Sequence, residues 1–113
     1  CGDSAHINSP SGGMGLNGGV HDAFNLASKI PELLAGADED LLAVYDRQRR
    51  PVAEEQILKQ ADRNRERMWE KDPDKRRNML QDLKAVAGDP VRCKAHLMQT
   101  SMITGLRQSL ATA

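Results

Sequence analysis

The glycines near the start of this chain are the residues with the clearest chemical use. Residues 1–19 hold six of the nine glycines, and they lead into a segment of helical periodicity that begins near Val20. A glycine-rich backbone that enters a helix lets an anionic group come close, because the group meets free N–H groups and the positive end of the helix dipole. The spacing therefore predicts a ligand site in this segment.

Two common phosphate-binding motifs do not explain it. Gly13, Gly15 and Gly18 form a literal G-x-G-x-x-G. A dinucleotide fingerprint needs a strand before the glycines and a parallel strand after the helix, whereas Pro10 and two serines precede them and only helical patterns follow. A Walker A loop is excluded because no Gly-Lys-Ser/Thr sequence is present.

A longer pattern covers the same segment. It consists of Gly2-Asp3-Ser4-Ala5-His6, Pro10, Gly12-Gly13-x-Gly15-x-Asn17-x-Gly19 and Asp22-Ala23-x-Asn25-Leu26-Ala27-x-Lys29. At this spacing the residues resemble the second FAD motif of the single-component flavoprotein monooxygenases, the para-hydroxybenzoate hydroxylase-like family of aromatic-ring hydroxylases. The resemblance is dense over residues 1–36, and Tyr45-x-x-x-Arg49-Arg50-Pro51 resembles the helix that follows in that family.

The resemblance implies cofactor-binding roles for five residues of the glycine-rich loop. Asp3 would accept a hydrogen bond from a ribityl hydroxyl of FAD, as an ionised carboxylate can. Pro10 would lie against the flavin ring, and its rigid φ angle would hold the loop in place. Gly12, Gly13 and Gly15 would let the backbone pass close to the flavin and the pyrophosphate.

The same resemblance implies that the amides of Leu16 and Asn17 point at the N1 and C2 carbonyl edge of the flavin. Reduced flavin carries negative charge at that edge. A helix that starts after Asn17 would offer about half a positive charge there. The interaction would therefore favour the reduced cofactor.

By resemblance, the intact protein is an NAD(P)H- and FAD-dependent monooxygenase that acts on a small aromatic substrate. The family also has an earlier βαβ unit for the ADP half of FAD, a middle Asp-Gly motif and a sheet-based substrate domain, none of which occurs in these 113 residues. We therefore expect a C-terminal fragment of a larger α/β flavoprotein. Alone it should bind no FAD and have no activity or catalytic residue of its own.

The remainder of the chain predicts an all-α fold, with four or five helices after the glycine-rich loop. Val20, Ala23, Phe24, Ala27, Ile30 and Leu34 form an apolar stripe, with Asp22, Asn25 and Lys29 elsewhere on the helix. Gly36 should end this helix and Asp38 should cap the next one. We assign residues 1–36 to the FAD-binding domain and residues 37–113 to a C-terminal helical segment.

Proline and glycine mark the boundaries of the later helices. Pro51 should interrupt or kink the second helix near Arg49. Asp72-Pro73 and Asp89-Pro90 each place an acidic N-cap before a proline, which predicts two helix starts. The last helix should fray beyond Gly105. We expect Met79, Leu80, Leu83 and Val86 to face inward, and Met68, Met79, Met98 and Met102 with Trp69 to be ordinary core residues.

Composition limits the classes of partner. The 16 basic residues balance the 16 acidic ones, so we expect no nucleic-acid partner and no association with an anionic membrane. The sequence has no apolar run long enough to cross a bilayer and no secretory-type stretch at its start, so we expect a cytoplasmic protein. Charges of both signs between Asp46 and Arg77 favour a solvated helix face. An alternative function is a helical interaction module without catalytic activity, in which the tail from Pro51 onward associates. Surfaces that would face a missing domain would then drive formation of a homo-oligomer.

No metal site is predicted from the histidines. His96 has only Cys93 near it at ligand spacing, which falls short of the donor set that zinc requires. His6 belongs to the FAD motif as a structural residue, and His21 lies near a helix start. Asp22 is interpreted as a residue that the helix dipole favours at a helix start.

Overall fold

The structure is a computed structural model that describes residues 1–113, and it contains helices and no strand. Two short 3-10 turns, Gly2–Ser4 and Pro10–Gly12, come first. The helical segments that follow are α1 (Gly15–Leu34), α2 (Asp40–Val52), a π-helical turn (Ala53–Leu58), α3 (Lys59–Trp69), α4 (Pro73–Gly88), α5 (Pro90–Thr100) and α6 (Ile103–Ala111). Because α2, the π turn and α3 follow one another without a gap, they form one helix, which makes five helices in all. The predicted all-α fold with four or five helices is confirmed.

Helix α1 begins earlier than the glycine-rich sequence predicts. Its first residue is Gly15 rather than a residue after Asn17. Glycine is a poor helix former, but Gly18 and Gly19 permit close contacts here. A Cβ on Gly18 would lie 2.5 Å from Cδ1 of Ile57, and a Cβ on Gly19 would lie 3.4 Å from Cα of Gly2. Tertiary packing therefore outweighs the local propensity.

Pro51 does not end the second helix, so of the expected interruption or kink near Arg49 the interruption does not occur. Helix α2 continues to Val52 and passes into the π turn that starts at Ala53. Proline has no N–H and its ring presses on the carbonyl four residues earlier, and a π turn changes the hydrogen-bond register over a few residues. The helix therefore changes register directly after the proline and remains continuous.

The two Asp-Pro starts and the end of α1 are confirmed. The Asp72 side chain accepts hydrogen bonds from the backbone N–H groups of Asp74 and Lys75, and the Asp89 side chain accepts from those of Val91 and Arg92. Helix α1 ends two residues before Gly36, which has a φ of 91°. These features need only neighbouring residues, which is why the sequence reveals them.

The C-terminal region differs from the prediction. Helix α5 ends at Thr100, Met102 adopts a φ of 63°, and α6 runs to Ala111 instead of fraying beyond Gly105. A Cβ on Gly105 would lie 2.8 Å from Cγ1 of Val52. This close approach packs α6 on α2, so the end of the chain is held in place.

The core is small and lies where α1, the π turn and the α5–α6 junction meet. Only 13 of 113 residues are buried, and Met14, Ile57 and Met102 form the apolar centre. The radius of gyration is 17.2 Å, whereas a compact chain of this length would have about 13 Å. The molecule is therefore elongated, with principal extents of 59 × 29 × 16 Å.

Several expected core residues are on the surface. Met68 and Trp69 are 71% and 76% exposed, so their assignment to the core is wrong. In α4, Leu80 is exposed while Met79, Leu83 and Val86 are half-buried. None of the helices combines the length and apolar composition that crossing a bilayer requires.

Helix α1 turns its apolar stripe outward. Leu16, Val20, Phe24 and Leu34 are 56–84% exposed, whereas Asp22 and Lys29 on the opposite face are buried. The polar face is the one that packs on α2, because its charged and amide groups find partners there. The stripe has no partner within residues 1–113.

Candidate functional site

The segment before α1 is shaped by two short turns. The first, Gly2–Ser4, carries Asp3, which is exposed and makes no hydrogen bond through its side chain. The second, Pro10–Gly12, starts with proline in its first position, and the Ser9 hydroxyl accepts from the backbone N–H of Ser11 at 3.4 Å. Both features stabilise a short turn.

The glycines of the predicted site occupy different environments. A Cβ on Gly12 would lie 3.3 Å from Nδ2 of Asn64, so this glycine lets the loop pack closely on α3. Gly13 has a φ of 61° with open space around it, a backbone conformation that favours glycine. Gly15 starts α1, and a Cβ there would lie 3.2 Å from Nδ2 of Asn8.

The first three residues of α1 present unpaired amides. Gly15, Leu16 and Asn17 donate no backbone hydrogen bond within the chain, and the ladder of α1 starts with the N–H of Gly18, which donates to the carbonyl of Met14 at 2.8 Å. Leu16 and Asn17 are exposed. Free N–H groups and the positive helix end together suit a negatively charged group, so the structure places three of the predicted site residues at one anion-compatible position.

Asp22 was interpreted as a helix-start residue, and the structure corrects this. It is the eighth residue of α1 and is only 1% exposed. Its Oδ2 accepts from the backbone N–H of Gly2 at 3.1 Å and lies 2.8 Å from Nε2 of His6. Its Oδ1 accepts from Nε of Arg49 at 2.7 Å, and Arg49 is 3% exposed. Asp22 therefore holds a buried ion pair.

Burial and hydrogen bonding have opposite effects on Asp22. Burial raises the pKa of its carboxyl group. The hydrogen bonds from Arg49, His6 and Gly2 together lower this pKa by more than burial raises it, so the net pKa is below the ordinary 3.8. The carboxylate is thus ionised at neutral pH. Burial, followed by the negative charge of Asp22, raises the pKa of the neighbouring Tyr45 phenol above its ordinary 10.0.

An open cleft of about 550 Å³ adjoins this network. His6, Asp22, Tyr45, Arg49 and Arg50 line part of it. Nη2 of Arg49 is buried without a hydrogen-bond partner. The Arg50 side chain pairs with Asp46 at 2.7 Å, so the charges that line the cleft are largely paired.

A second buried cluster links α1, α2 and the end of the chain. The Lys29 ammonium donates to Oδ1 of Asn25 at 2.9 Å and to Oε1 of Gln48 at 3.0 Å. Nε2 of Gln48 donates to the carbonyl of Thr112 at 2.7 Å. This cluster places polar groups of α1 against α2 and is structural in character.

Sequence reasoning missed that Asp22 and Lys29 are both buried against α2, where Asp22 pairs with Arg49 and Lys29 with Gln48. The available signal was that Asp22 and Lys29 lie seven residues apart, on the face of α1 opposite the apolar stripe. In the sequence, Arg49 stands out only as part of the motif Tyr45-x-x-x-Arg49-Arg50-Pro51. No periodicity tells which of the neighbouring arginines enters the interior.

The histidines do not come together. His6 contacts Asp22, while His21 lies in α1 and His96 in α5, each half-buried. No group of three His, Cys, Asp or Glu side chains is placed to hold a metal ion.

Comparisons with known proteins address the same segment. The family model described as "FAD binding domain" matches residues 1–61. A flavin-dependent monooxygenase of Mycobacteroides abscessus is 50% identical over 52 residues, which are 46% of this chain and 11% of that protein. The pentachlorophenol 4-monooxygenase of Sphingobium chlorophenolicum is 53% identical over 55 residues, 48% of this chain and 10% of that protein.

A rifampicin monooxygenase of Streptomyces venezuelae is 53% identical over 55 residues, 48% of this chain and 12% of that protein. The chain thus spans about a tenth of the length of the relatives it matches. No solved structure matches it. The resemblance to FAD-dependent aromatic hydroxylase-like monooxygenases is confirmed, and the chain belongs to the FAD binding domain family.

Proposed function

We propose that this chain forms the flavin-edge part of an FAD-dependent monooxygenase of the aromatic hydroxylase type. One observation carries the proposal: the N–H groups of Gly15, Leu16 and Asn17 are unpaired at the positive end of α1. This helix start lies within residues 1–61, which match the FAD binding domain family.

The residues around this helix start fit a flavin. Asp3 has an exposed carboxylate with no partner in the chain, so it is free to accept a hydrogen bond from a ribityl hydroxyl. Pro10 begins the second turn, Gly13 follows its end, and both are exposed. Gly12 and Gly15 keep the backbone free of Cβ atoms where the loop meets α3 and Asn8.

In this proposal the bound FAD supplies the redox chemistry, and residues of this chain bind and orient it. The amides of Leu16 and Asn17 donate to the N1 and C2 carbonyl edge and stabilise negative charge there. The helix start adds about 0.3 to 2 kcal/mol to that stabilisation. The chain supplies no catalytic residue and has no turnover by itself.

The finer parts of the proposal follow the same family. The electron donor is NAD(P)H and the substrate is a small aromatic compound. Residues 1–36 belong to the FAD-binding domain and residues 37–113 form a helical segment, supported by the break between Leu34 and Asp40. The protein has no nucleic-acid partner, which its formal net charge of zero supports. It works in the cytoplasm.

The proposal is tested in the longer flavoprotein that carries this segment. Gly15→Val adds a side chain where a Cβ already lies 3.2 Å from Asn8, and Asp3→Ala removes the ribityl acceptor. Both should lower FAD retention at least tenfold, measured as flavin absorbance per protein after gel filtration. Gly88→Val, at a glycine with open space in α4, is the matched control and should keep its flavin. Gly15→Val and Asp3→Ala proteins that purify fully yellow would contradict the proposal.

A second function is favoured by a separate observation. The outward stripe of α1 contains Leu16, Val20, Phe24 and Leu34 and no charged residue between them on that face. A contiguous exposed apolar surface of this kind is typical of an interaction site. We therefore also propose that the isolated chain forms a homo-oligomer through α1.

A further inference from the structure

The structure points to a positioning role for Asp22, an inference that rests on the proposed function. We propose that the Asp22 carboxylate fixes the turn Gly2–Ser4, and with it Asp3, against the first turns of α1. Asp22 itself would not touch the flavin. It would act indirectly, by fixing where Asp3 lies relative to the amides of Leu16 and Asn17.

The first argument is the number of segments that meet at one carboxylate. Oδ2 receives the backbone N–H of Gly2 at 3.1 Å and faces Nε2 of His6 at 2.8 Å, both from the N-terminal segment. Oδ1 receives Nε of Arg49 at 2.7 Å from α2. Because a carboxylate accepts on both oxygens, it can hold all three donors at once.

The second argument is that the turn has no other polar tie to α1. All remaining hydrogen bonds of residues 1–6 stay within residues 1–8, such as those from the N–H groups of Ala5 and His6 to the carbonyl of Gly2. Asp22 is therefore the single hydrogen-bonded link between this segment and the helix. If the link is removed, only van der Waals contact holds the turn.

The third argument is proximity to the unpaired amides. A Cβ on Gly2 would lie 3.6 Å from Cα of Gly19, so the turn rests directly on the fifth residue of α1. Gly19 follows Leu16 and Asn17 by less than one helical turn. The carboxylate thus sets the position of Asp3 relative to the same helix start whose amides face the proposed flavin edge.

An asparagine could not replace the carboxylate fully. Its side chain has one acceptor oxygen and one donor NH2 group. If the asparagine oxygen faces Gly2 and His6, its NH2 group points at Nε–H of Arg49, and two donors face each other. In the flipped orientation the NH2 group points at the donors of Gly2 and His6 instead. The arrangement therefore requires an acceptor on both sides, which supports a role for the carboxylate beyond filling space.

The first experiment follows the Gly2 amide by NMR in the full chain. Its chemical shift should titrate with the Asp22 carboxyl, with an acid inflection below pH 3.8. The other titratable or charged groups that face Asp22 are His6, Tyr45 and Arg49. In Asp22→Ala the inflection should vanish and hydrogen exchange of residues 2–6 should rise at least tenfold, while α1 remains protected. An unchanged inflection or unchanged exchange overturns the proposal.

Two further variants control for simple loss of stability. Asp46→Ala removes a half-exposed carboxylate that also pairs with an arginine, and it should leave the exchange of residues 2–6 within twofold of wild type. His6→Phe keeps the Asp22–Arg49 pair and removes one tie to the turn, so it should raise that exchange even if Asp22→Ala does not fold. Exchange in His6→Phe that matches wild type would also overturn the proposal.

The second experiment is a double-mutant cycle on FAD affinity in the longer flavoprotein. Asp22→Ala and Asp3→Ala should each weaken FAD binding about tenfold, and the double variant should be no weaker than about twentyfold, because both changes remove the same contact. Multiplying effects, near a hundredfold, would overturn the positioning role. If Asp3→Ala alone has no effect, the proposed function fails at Asp3, while the NMR titration still decides whether Asp22 holds the turn.

Discussion

At the scale of single residues, the buried pair of Asp22 and Arg49 is the most consequential feature of the chain. The two side chains are 1% and 3% exposed, and Nη2 of Arg49 has no partner. An ion pair in this setting is expensive to break from one side, because the remaining charge stays buried. Stability should therefore depend on the ionisation of Asp22.

The dependence on pH follows from the direction of the pKa shift. The folded pKa of Asp22 lies below its ordinary 3.8, so the unfolded chain binds this proton more readily. The stabilisation by the carboxylate is complete above about pH 4 to 5 and is lost as the pH falls through the folded pKa. Asp22→Asn should lower the free energy of unfolding by about 3 kcal/mol at pH 7, and this difference should shrink towards pH 3.

Urea unfolding followed by circular dichroism at several pH values measures this difference. Asp46→Asn is the control, since its pair with Arg50 has side chains that are 50% and 66% exposed. It should change stability by less than about 1 kcal/mol. A difference between wild type and Asp22→Asn that stays constant from pH 7 to pH 3 would refute the assignment.

At the scale of elements, α1 and the π turn pack closely because Gly18 has no side chain. Gly18 is buried against Ile57, which is fully buried, so an added methyl group has little space. Overpacking of this kind typically costs about 1–3 kcal/mol. The close contact also explains why a helix can start in a glycine-rich segment.

Gly18→Ala should therefore lower stability by about 1–3 kcal/mol, whereas Gly88→Ala, with nothing within 4 Å, should be neutral or stabilising. Ile57→Val removes the Cδ1 atom that Gly18→Ala would meet. In thermal unfolding, the double variant should be less destabilised than the sum of the two single variants. Additive effects would show that the contact with Cδ1 does not limit this position.

At the scale of the whole molecule, the extended shape and the outward stripe of α1 go together with a small apolar core. The polar face of α1 is buried, and Leu16, Val20, Phe24 and Leu34 stay exposed. Its radius of gyration of 17.2 Å reflects the small core. An apolar helix face of about 30 Å length is large enough to contribute to a protein interface.

The self-association of the isolated chain should depend on this face. Phe24→Glu should weaken it at least tenfold, because it places a charge at the middle of the stripe. Val91→Glu changes an equally exposed apolar residue on α5 and should have little effect. Sedimentation velocity over a range of concentrations measures the self-association of wild type and of both variants. A wild-type chain that stays monomeric at high concentration would contradict the proposal of a homo-oligomer.

The amino-acid sequence by itself determined the family motif, the all-α class, the two Asp-Pro helix starts and the end of α1 before Gly36. These features depend on residues that are neighbours along the chain, because caps, dipoles and backbone preferences act over a few residues. The glycine-rich entry into a helix likewise predicted free amides at the helix start, and the resemblance to the family assigned them to Leu16 and Asn17, although the helix begins at Gly15.

Only the tertiary structure decided which face of α1 is buried, that Pro51 leads into a π turn, and that Asp22 binds Gly2, His6 and Arg49. The three hydrogen bonds of Asp22 join residues that are 16 to 27 positions apart along the chain. A helical stripe shows that two faces differ but not which one finds a complementary surface. Here the buried charges of α1 meet their partners on other elements, and the apolar face meets none within the chain.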